Sequence, residues 1–391
     1  MSVNDSGAIH AADIYVGDEL TAAFYRRPGM TTEFRYLTHA TRSVATSLPL
    51  HVTATTHNGS LPPFFTNLLP EGRRLTALRK GVKTSLDDEL GLLLAVGGNT
   101  VGDVTVVPPG GAPQTSSAVV LTEPLDFGAA LTSAGIADPA ALPGVQDKAS
   151  ARTIAAPVSG GNTDYILKVS PPEYPALVEN EAECFAMIGR ARRRFPVASV
   201  DLRHDRHGRA GLLVRRFDRL HGKRLHVEDA AQIMGLYPAE KYSPSMEDLA
   251  TALSGVSASP TLTARSIAFQ TACAWLTGNG DLHAKNLSLM DTGNGFQVSP
   301  LYDIPSTLPY GDTSLALSVQ GARDNISSSM FRTFCAEIGL PPKAADRVMH
   351  QALEVTEGAA ERLIAAIGCT PRQARDVRRV LGRRRKLWGA G

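Results

Sequence analysis

The alternation of apolar and polar positions changes character along the chain. Residues 13 to 56 alternate with a period of two, as in "DIYVGDELTAAFYR" and "TEFRYL". That pattern predicts paired strands, with "VGDEL" as a hairpin turn. "FFTNLLPEGRRLTALRKG" then predicts a helix, with Pro70 and Glu71 suiting its start and Gly81 its end. "SLDDELGLLLAVGGN" predicts another, with Ser85 as N-cap, acidic residues in the first turn and Gly97 and Gly98 as the stop. "VGDVTVVP" reads as a strand. "PPGGAPQTSSA", residues 108 to 118, has linker composition. It predicts one domain over 1–112 and a second over 119–391.

Beyond the linker, "TEPLDFGAALTSAG" reads as a helix, and "ALPGVQDKASARTIAAP" as a turn between two short extended pieces. "DYILKVSP" reads as a strand, "LVENEAECFAMIGRARRRF" as a long helix and "VDLRHDRHGRAGLLVRRFDRL" as a hairpin. From about residue 225 the pattern is mostly helical. It is interrupted at 286–304, where "NLSLM", a "DTGNG" turn and "FQVSPLYDI" predict a hairpin. Sheet first and helices second predict an α+β, two-lobed domain. Its N-lobe is placed at about 119–222 and its mainly helical C-lobe at about 223–391.

Composition narrows this little. The chain has 391 residues, 43% hydrophobic and 20% charged, which is ordinary for a globular protein. Its 40 basic and 38 acidic residues leave a net charge of +2, which argues neither for nor against a nucleic-acid partner. Cys184, Cys273, Cys335 and Cys369 are scattered without a CxxC pair, so neither a zinc site nor a disulfide framework is expected. The first residues are polar and lack the apolar core of a signal peptide. No apolar run approaches the ~18 residues of a membrane span. The expectation is a cytoplasmic protein without a membrane segment.

The chemistry concentrates in "LTGNGDLHAKNLSLM", residues 276–290, which sets Asp281, His283, Lys285 and Asn286 between apolar neighbours. The hairpin that follows should return the chain to its start and so bring Asp303 of "LYDI" near Asn286 and Asp281. Two carboxylates and an amide facing one point suit a hard cation such as Mg²⁺ with phosphate oxygens. The order Asp-x₄-Asn and then Asp is that of a protein-kinase catalytic loop and its metal-holding Asp. Phosphoryl transfer also needs a Lys that holds phosphates. Lys168 lies in the apolar strand "YILKV", where a buried ammonium needs an anion. Glu181, thirteen residues on, can bridge to it. "LPGVQDK" offers a turn of backbone N–H groups and Lys148 for phosphate.

Each piece has a plainer reading. An isolated Asp-x₄-Asn is more often a cap or a turn, and a strand Lys more often an edge residue. Glu179, Glu181 and Glu183 read mostly as a solvated helix face. His283 reads as structural, because no second His or Cys stands at metal-ligand spacing. The ordered set of all these pieces is far less expected by coincidence.

The chain resembles the HipA family of serine/threonine-kinase toxins. The resemblance rests on "FTNLLPEG", "LGLLLAVGGNTVGDV", "LPGVQDKAS", "YILKV", "ENEAECFAM", "LLVRRFDR", "HVEDAAQ", "LTGNGDLHAKNLSL" and "VSPLYDI", in order over about residues 13 to 320. It implies a small N-terminal α/β domain joined to a protein-kinase-like domain, with ATP and Mg²⁺ as cofactors. It assigns Asp281 as the catalytic base, Asn286 and Asp303 as metal holders and Lys168 as the phosphate Lys. Pro143, Gly144, Val145, Gln146, Asp147 and Lys148 become the phosphate loop. Arg215, Arg216 and Phe217 fall at the hinge that meets adenine through backbone groups. His283, Lys285, Asn286 and Tyr302 line the nucleotide site. It also implies a HipB-like helix-turn-helix antitoxin, contact with DNA through that antitoxin, and a protein substrate such as an aminoacyl-tRNA synthetase.

Two departures from the family stand out. Ala141 occupies the place where the family often has a phosphorylatable Ser, so self-silencing at that residue is lost, and Ser150 is a substitute to consider. Arg215 replaces an acidic hinge residue. The segment 371–386 carries eight Arg or Lys and one acidic residue; it reads as a solvated basic helix, with phosphate contact as the alternative. An interaction protein acting as co-repressor, or a small-molecule phosphotransferase, are the rival functions. Intact Asp281, Asn286, Asp303 and Lys168 favour a protein kinase.

Overall fold

The structure is a computed structural model that describes residues 9–29, 31–83, 85, 87–113, 118–136 and 153–389. The N-terminal part forms an antiparallel sheet from β1 (Ile9–Val16), β2 (Glu19–Arg27), β3 (Thr31–Tyr36) and β4 (Thr53–Thr56). Two helices follow α1 (Pro63–Thr66): α2 (Gly72–Val82) and α3 (Glu89–Val96). β5 (Val104–Val107) then completes the sheet order β4-β3-β2-β1-β5. The inward faces of β1 to β3 bury Ile14, Phe24 and Phe34 against Phe64, Phe65 and Leu93.

Of the stretch 64–81 that reads as helical, the start marked by Pro70 and Glu71 is that of α2, and the residues before it form the separate short helix α1. Pro70 biases Leu69 away from helical geometry, and Asn67 turns its side-chain amide to the Pro63 carbonyl at 2.8 Å. Residues 67–71 form a non-helical link in which Asn67, Leu68 and Leu69 are buried, and α2 starts only after Glu71. Gly81 does not end it; Lys83, in the left-handed region with φ 54°, does. The cap of α3 is Asp88, whose carboxylate accepts the Gly91 N–H, rather than Ser85.

The second part opens with β6 (Val119–Val120), α4 (Phe127–Ser133), β7 (Ile154–Gly160), β8 (Thr163–Val169), α5 (Leu177–Ile188), β9 (Val200–His204) and β10 (Ala210–Arg215). These strands form one sheet in the order β6-β7-β8-β10-β9, backed by α5. Two short strands, β11 (Arg219–Leu220) and β12 (Lys223–Arg224), lead into the second lobe. There β13 (His226–Asp229) precedes the helices α6 (Ala230–Ile233), α7 (Met246–Val256) and α8 (Pro260–Thr277). The predicted hairpin is present as β14 (Ser288–Asp291) and β15 (Phe296–Val298), and β13 joins it as a third strand that the sequence pattern did not reveal. Helices α9 (Ser328–Glu337), α10 (Pro342–Val355), α11 (Ala359–Ile367) and α12 (Pro371–Leu387) complete the lobe. Among the described residues no helix is long and apolar enough to cross a membrane.

The N-terminal sheet docks on the hinge between the lobes through polar groups. The Thr100 carbonyl accepts from Arg216 at 2.9 Å and from Arg219 at 3.1 Å. The Gly102 carbonyl accepts from Arg224 at 2.8 Å, while its N–H donates to Asp218 at 3.0 Å. Beside this latch, His226 bridges Asp103 of the N-terminal part at 2.6 Å and Glu228 at 3.2 Å. Glu228 in turn accepts the Thr46 N–H and hydroxyl. Burial opposes the imidazolium, but Asp103 and then Glu228 outweigh it and raise the His226 pKa to about 9.

A raised pKa adds stability that is complete below the unfolded value of 6.5 and is lost as pH rises through about 9. We predict that unfolding free energy falls on the order of 3 kcal/mol across that window, and that His226→Gln flattens the slope. Urea titrations at pH 6 and pH 9.5 test it; a wild-type slope unchanged in the variant would refute it.

Candidate functional site

A cavity of about 390 Å³ lies where the two lobes and the N-terminal part meet. Its centre is Lys168 on β8, whose ammonium donates to Glu181 of α5 at 2.7 and 2.9 Å and to Asp303 at 2.7 Å. Glu181 is buried, so it does not belong to a solvated face. Glu183 pairs with Arg362 instead. Burial opposes charge on all three groups of the cluster. The two carboxylates outweigh it at Lys168 and raise its pKa, and Lys168 outweighs it at Asp303 and lowers that pKa. Asp303 sits in the left-handed region with φ 53°, which Asp tolerates better than most residues. The adjoining segment is tied to α5, because the Asn180 amide exchanges hydrogen bonds with the backbone of Ser306.

Helix α8 is buried along most of its length and delivers the catalytic-type loop at its C-terminus. Gly278 caps it at φ 76°, where a Cβ would lie 2.8 Å from the Leu308 Cβ. A Cβ on Gly280 would lie 2.5 Å from the Ser314 carbonyl oxygen. The glycines of "TGNGD" therefore let the loop pass beneath residues 306–314. Asn279 accepts the Asp281 N–H at 2.8 Å, and the Asn286 amide donates to the Asp281 carbonyl at 2.8 Å. The Tyr242 hydroxyl donates to the Asp281 carboxylate at 2.8 Å. His283 stacks edge-on against Tyr242 at 5.1 Å between centroids, and burial lowers its pKa.

The expected residues converge. Lys168, Arg215, Arg216, Phe217, Asp281, His283, Lys285, Asn286, Tyr302 and Asp303 all line the cavity, with Glu181 directly behind Lys168. Phe217 and Tyr302 face each other at 5.4 Å between ring centroids. The Tyr302 hydroxyl donates to the Lys285 carbonyl at 2.7 Å. The Arg216 guanidinium turns away to Asp218 and Thr100. Pro143, Gly144, Val145, Gln146, Asp147 and Lys148, with Ala141 and Ser150, lie outside the described residues.

Sequence reasoning missed one wall. Leu68, Pro70, Glu71 and Arg74 of the N-terminal part line the same cavity. The Glu71 carboxylate binds Lys285 at 2.9 Å and also Lys241. Burial raises its pKa, but Lys285 and then Lys241 outweigh this and bring it down to about 2. The Lys285 ammonium also donates to the Asn67 carbonyl at 3.2 Å. The signal in the sequence was the Pro70-Glu71 pair, read as a helix start and as part of the "FTNLLPEG" motif but not as a wall of the site.

Residues 12–107 match the HipA N-terminal domain family, and residues 140–360 match the family of HipA-like C-terminal domains. A candidate kinase of Sinorhizobium fredii is 35% identical over 295 residues, 67% of this chain and 66% of its own length. The chain thus spans just under two thirds of that relative. A second candidate kinase of the same organism is 29% identical over 336 residues, 77% of this chain and 78% of that one. The serine/threonine-protein kinase toxin HipA of Shewanella oneidensis is 29% identical over 338 residues, 75% of each chain. Among solved structures, HipA of Shewanella oneidensis MR-1 in complex with HipB and operator DNA superposes with a TM-score of 0.75. That match has 20% identity and covers 96% of this chain and 97% of the other. The fold is therefore α+β, with an N-terminal domain and a two-lobed, kinase-like domain.

The shared cation makes a stability prediction. Lys168→Met leaves Glu181 and Asp303 facing each other and should cost about 3 kcal/mol, the scale for breaking a buried pair. Adding Glu181→Gln to it should recover more than half of that loss. Urea unfolding of the single and double variants decides; strictly additive losses would refute the coupling.

Proposed function

The chain belongs to the HipA family, and on that premise we propose that it is a toxin-type protein kinase. In this reading it transfers the γ-phosphate of ATP to a Ser or Thr hydroxyl of a protein. The observation that carries the reading is Lys168 bonded at once to Glu181 and Asp303, on a cavity that also holds Asp281 and Asn286. Phosphoryl transfer asks mainly for positioned charge, and these are the charges it uses.

Adenine would pack beside the touching rings of Phe217 and Tyr302, against the backbone of Arg215 to Phe217. The phosphates extend toward Lys168. Asn286 and Asp303 supply hard oxygen donors. Lys168 occupies Oδ1 of Asp303, which leaves Oδ2, and Asn286 spends its amide nitrogen on the Asp281 carbonyl, which leaves Oδ1. That donor set fits Mg²⁺, which accepts few protein ligands besides phosphate oxygens and water. When bound, the ion would neutralise phosphate charge. Asp281, held by Tyr242, accepts the proton of the acceptor hydroxyl. As that oxygen bonds to the γ-phosphorus, the bond to the β,γ-bridging oxygen breaks and ADP leaves. Pro143 to Lys148 would cover the phosphates.

For partners, we propose a HipB-like helix-turn-helix antitoxin, through which the protein would reach DNA. The superposed HipA was solved with HipB and operator DNA, which supports that reading. An aminoacyl-tRNA synthetase is the substrate proposed, and the cytoplasm the site of action.

We predict that Asp281→Asn binds Mg·ATP as wild type does but transfers phosphate roughly 10²–10⁴-fold more slowly, the range of a general base. Phosphoproteomics after induced expression of wild type against this variant identifies the acceptor. Identical phosphoproteomes with retained antitoxin binding would replace the kinase reading with that of a co-repressor. Asp303→Ala should abolish measurable Mg·ATP binding in calorimetry.

A further inference from the structure

The wall that the N-terminal domain adds to the cavity carries a cation, Arg74, that has no counter-charge among the described residues. Arg74 lies on α2, one helical turn past Glu71, and lines the cavity opposite the kinase lobes. Glu71 is the N-cap of α2 and Arg74 stands in its first turn, and both line the cavity. Glu71 is fixed to Lys285 and Lys241 near the catalytic loop. At the hinge end, Arg74 stands close enough to Arg216 to be repelled by it. Among the described residues Arg74 has no hydrogen-bond or ion-pair partner. Burial, and then Arg216, lower its pKa to about 10, so it stays charged at neutral pH. Four of the other cavity cations are engaged: Lys168 with two carboxylates, Lys241 and Lys285 with Glu71, Arg216 with Asp218; Arg215, at the rim, is exposed to water. A half-buried cation without an anion beside it destabilises the empty protein, and an anion entering the cavity relieves it.

We propose that Arg74 is a nucleotide-binding residue contributed by the N-terminal domain, and that its guanidinium binds the α- or β-phosphate of ATP. The inference rests on the kinase reading above. The position between the hinge and the catalytic loop is where the middle of the polyphosphate would run. Only the phosphates of ATP are anionic, and a guanidinium can meet two phosphate oxygens at once. The N-terminal domain would then be part of the substrate site.

The test is calorimetry on the full chain with Mg·ATP and with adenosine, for wild type, Arg74→Lys and Arg74→Met, beside thermal melts without ligand. For Arg74→Met we expect about tenfold or greater loss of Mg·ATP affinity and less than about twofold change for adenosine, as a charge-assisted contact confined to phosphate requires. Arg74→Lys should fall between. The ligand-free melting temperature of Arg74→Met should equal or exceed that of wild type, because an uncompensated charge has been removed. Unchanged Mg·ATP affinity, an equal loss for adenosine, or a lower ligand-free melting temperature would overturn the proposal. Wild type that binds neither ligand would overturn the nucleotide reading itself, an outcome distinct from the others.

Discussion

Everything about the site follows from placing one ammonium where little water reaches it. Lys168 extends from an apolar strand and can remain charged only with anions beside it. The two that it has come from different places: Glu181 from the helix behind the sheet, Asp303 from the far lobe. Satisfying one charge therefore fixes the angle of α5 and the distance between the lobes together. The Asn180 bonds to Ser306 repeat the same link in neutral groups. The cavity between these elements is the space left once they are so tied.

The N-terminal domain is bound by a different logic. Its contact with the hinge rests on backbone carbonyls at 100–104 that meet Arg216, Arg219 and Arg224, with Asp218 accepting from the Gly102 N–H. Carbonyl oxygens and planar guanidinium forks match in geometry as well as charge. Burial and mutual repulsion lower the pKa of Arg219 and Arg224, the first to about 10, yet both stay charged near neutrality. Such a contact is specific in orientation rather than merely adhesive. It sets the 67–74 segment over the cavity, so that Glu71 reaches a lysine 214 positions later in sequence.

What could be read from the sequence was whatever depends on local spacing. The Asp-x₄-Asn loop, its hairpin and the final Asp form a contiguous unit, and their convergence needed only hairpin geometry. Lys168 and Glu181 were legible because an apolar strand carrying one Lys poses a visible problem. Glu71, Lys241 and Tyr242 were not, because their partners are fixed only by how separate elements dock. β13 was missed because a four-residue strand beside a capping Asp looks like the start of a helix. The short helix α1 was not told apart from α2 because the apolar spacing continues across 67–71, although Pro70 and Glu71 did mark where α2 begins. Ser85 lost the cap to Asp88 for want of a local rule to separate two good capping residues.

The basic helix α12 also has an inward side. Arg384 lies 3.9 Å above the Trp275 ring, and donates to the Trp275 carbonyl at 2.8 Å and to that of Thr313. Trp275 is on the last turn of α8, immediately before the glycine-hinged loop. The two residues are 109 positions apart, and a chain leaves the ribosome in order of sequence. A nascent chain thus has Asp281 and Asn286 in hand well before the side chain that braces the helix presenting them. The order of synthesis itself sets the brace after the loop, and a chain released before Arg384 would carry the catalytic-type loop on a helix end with no such support.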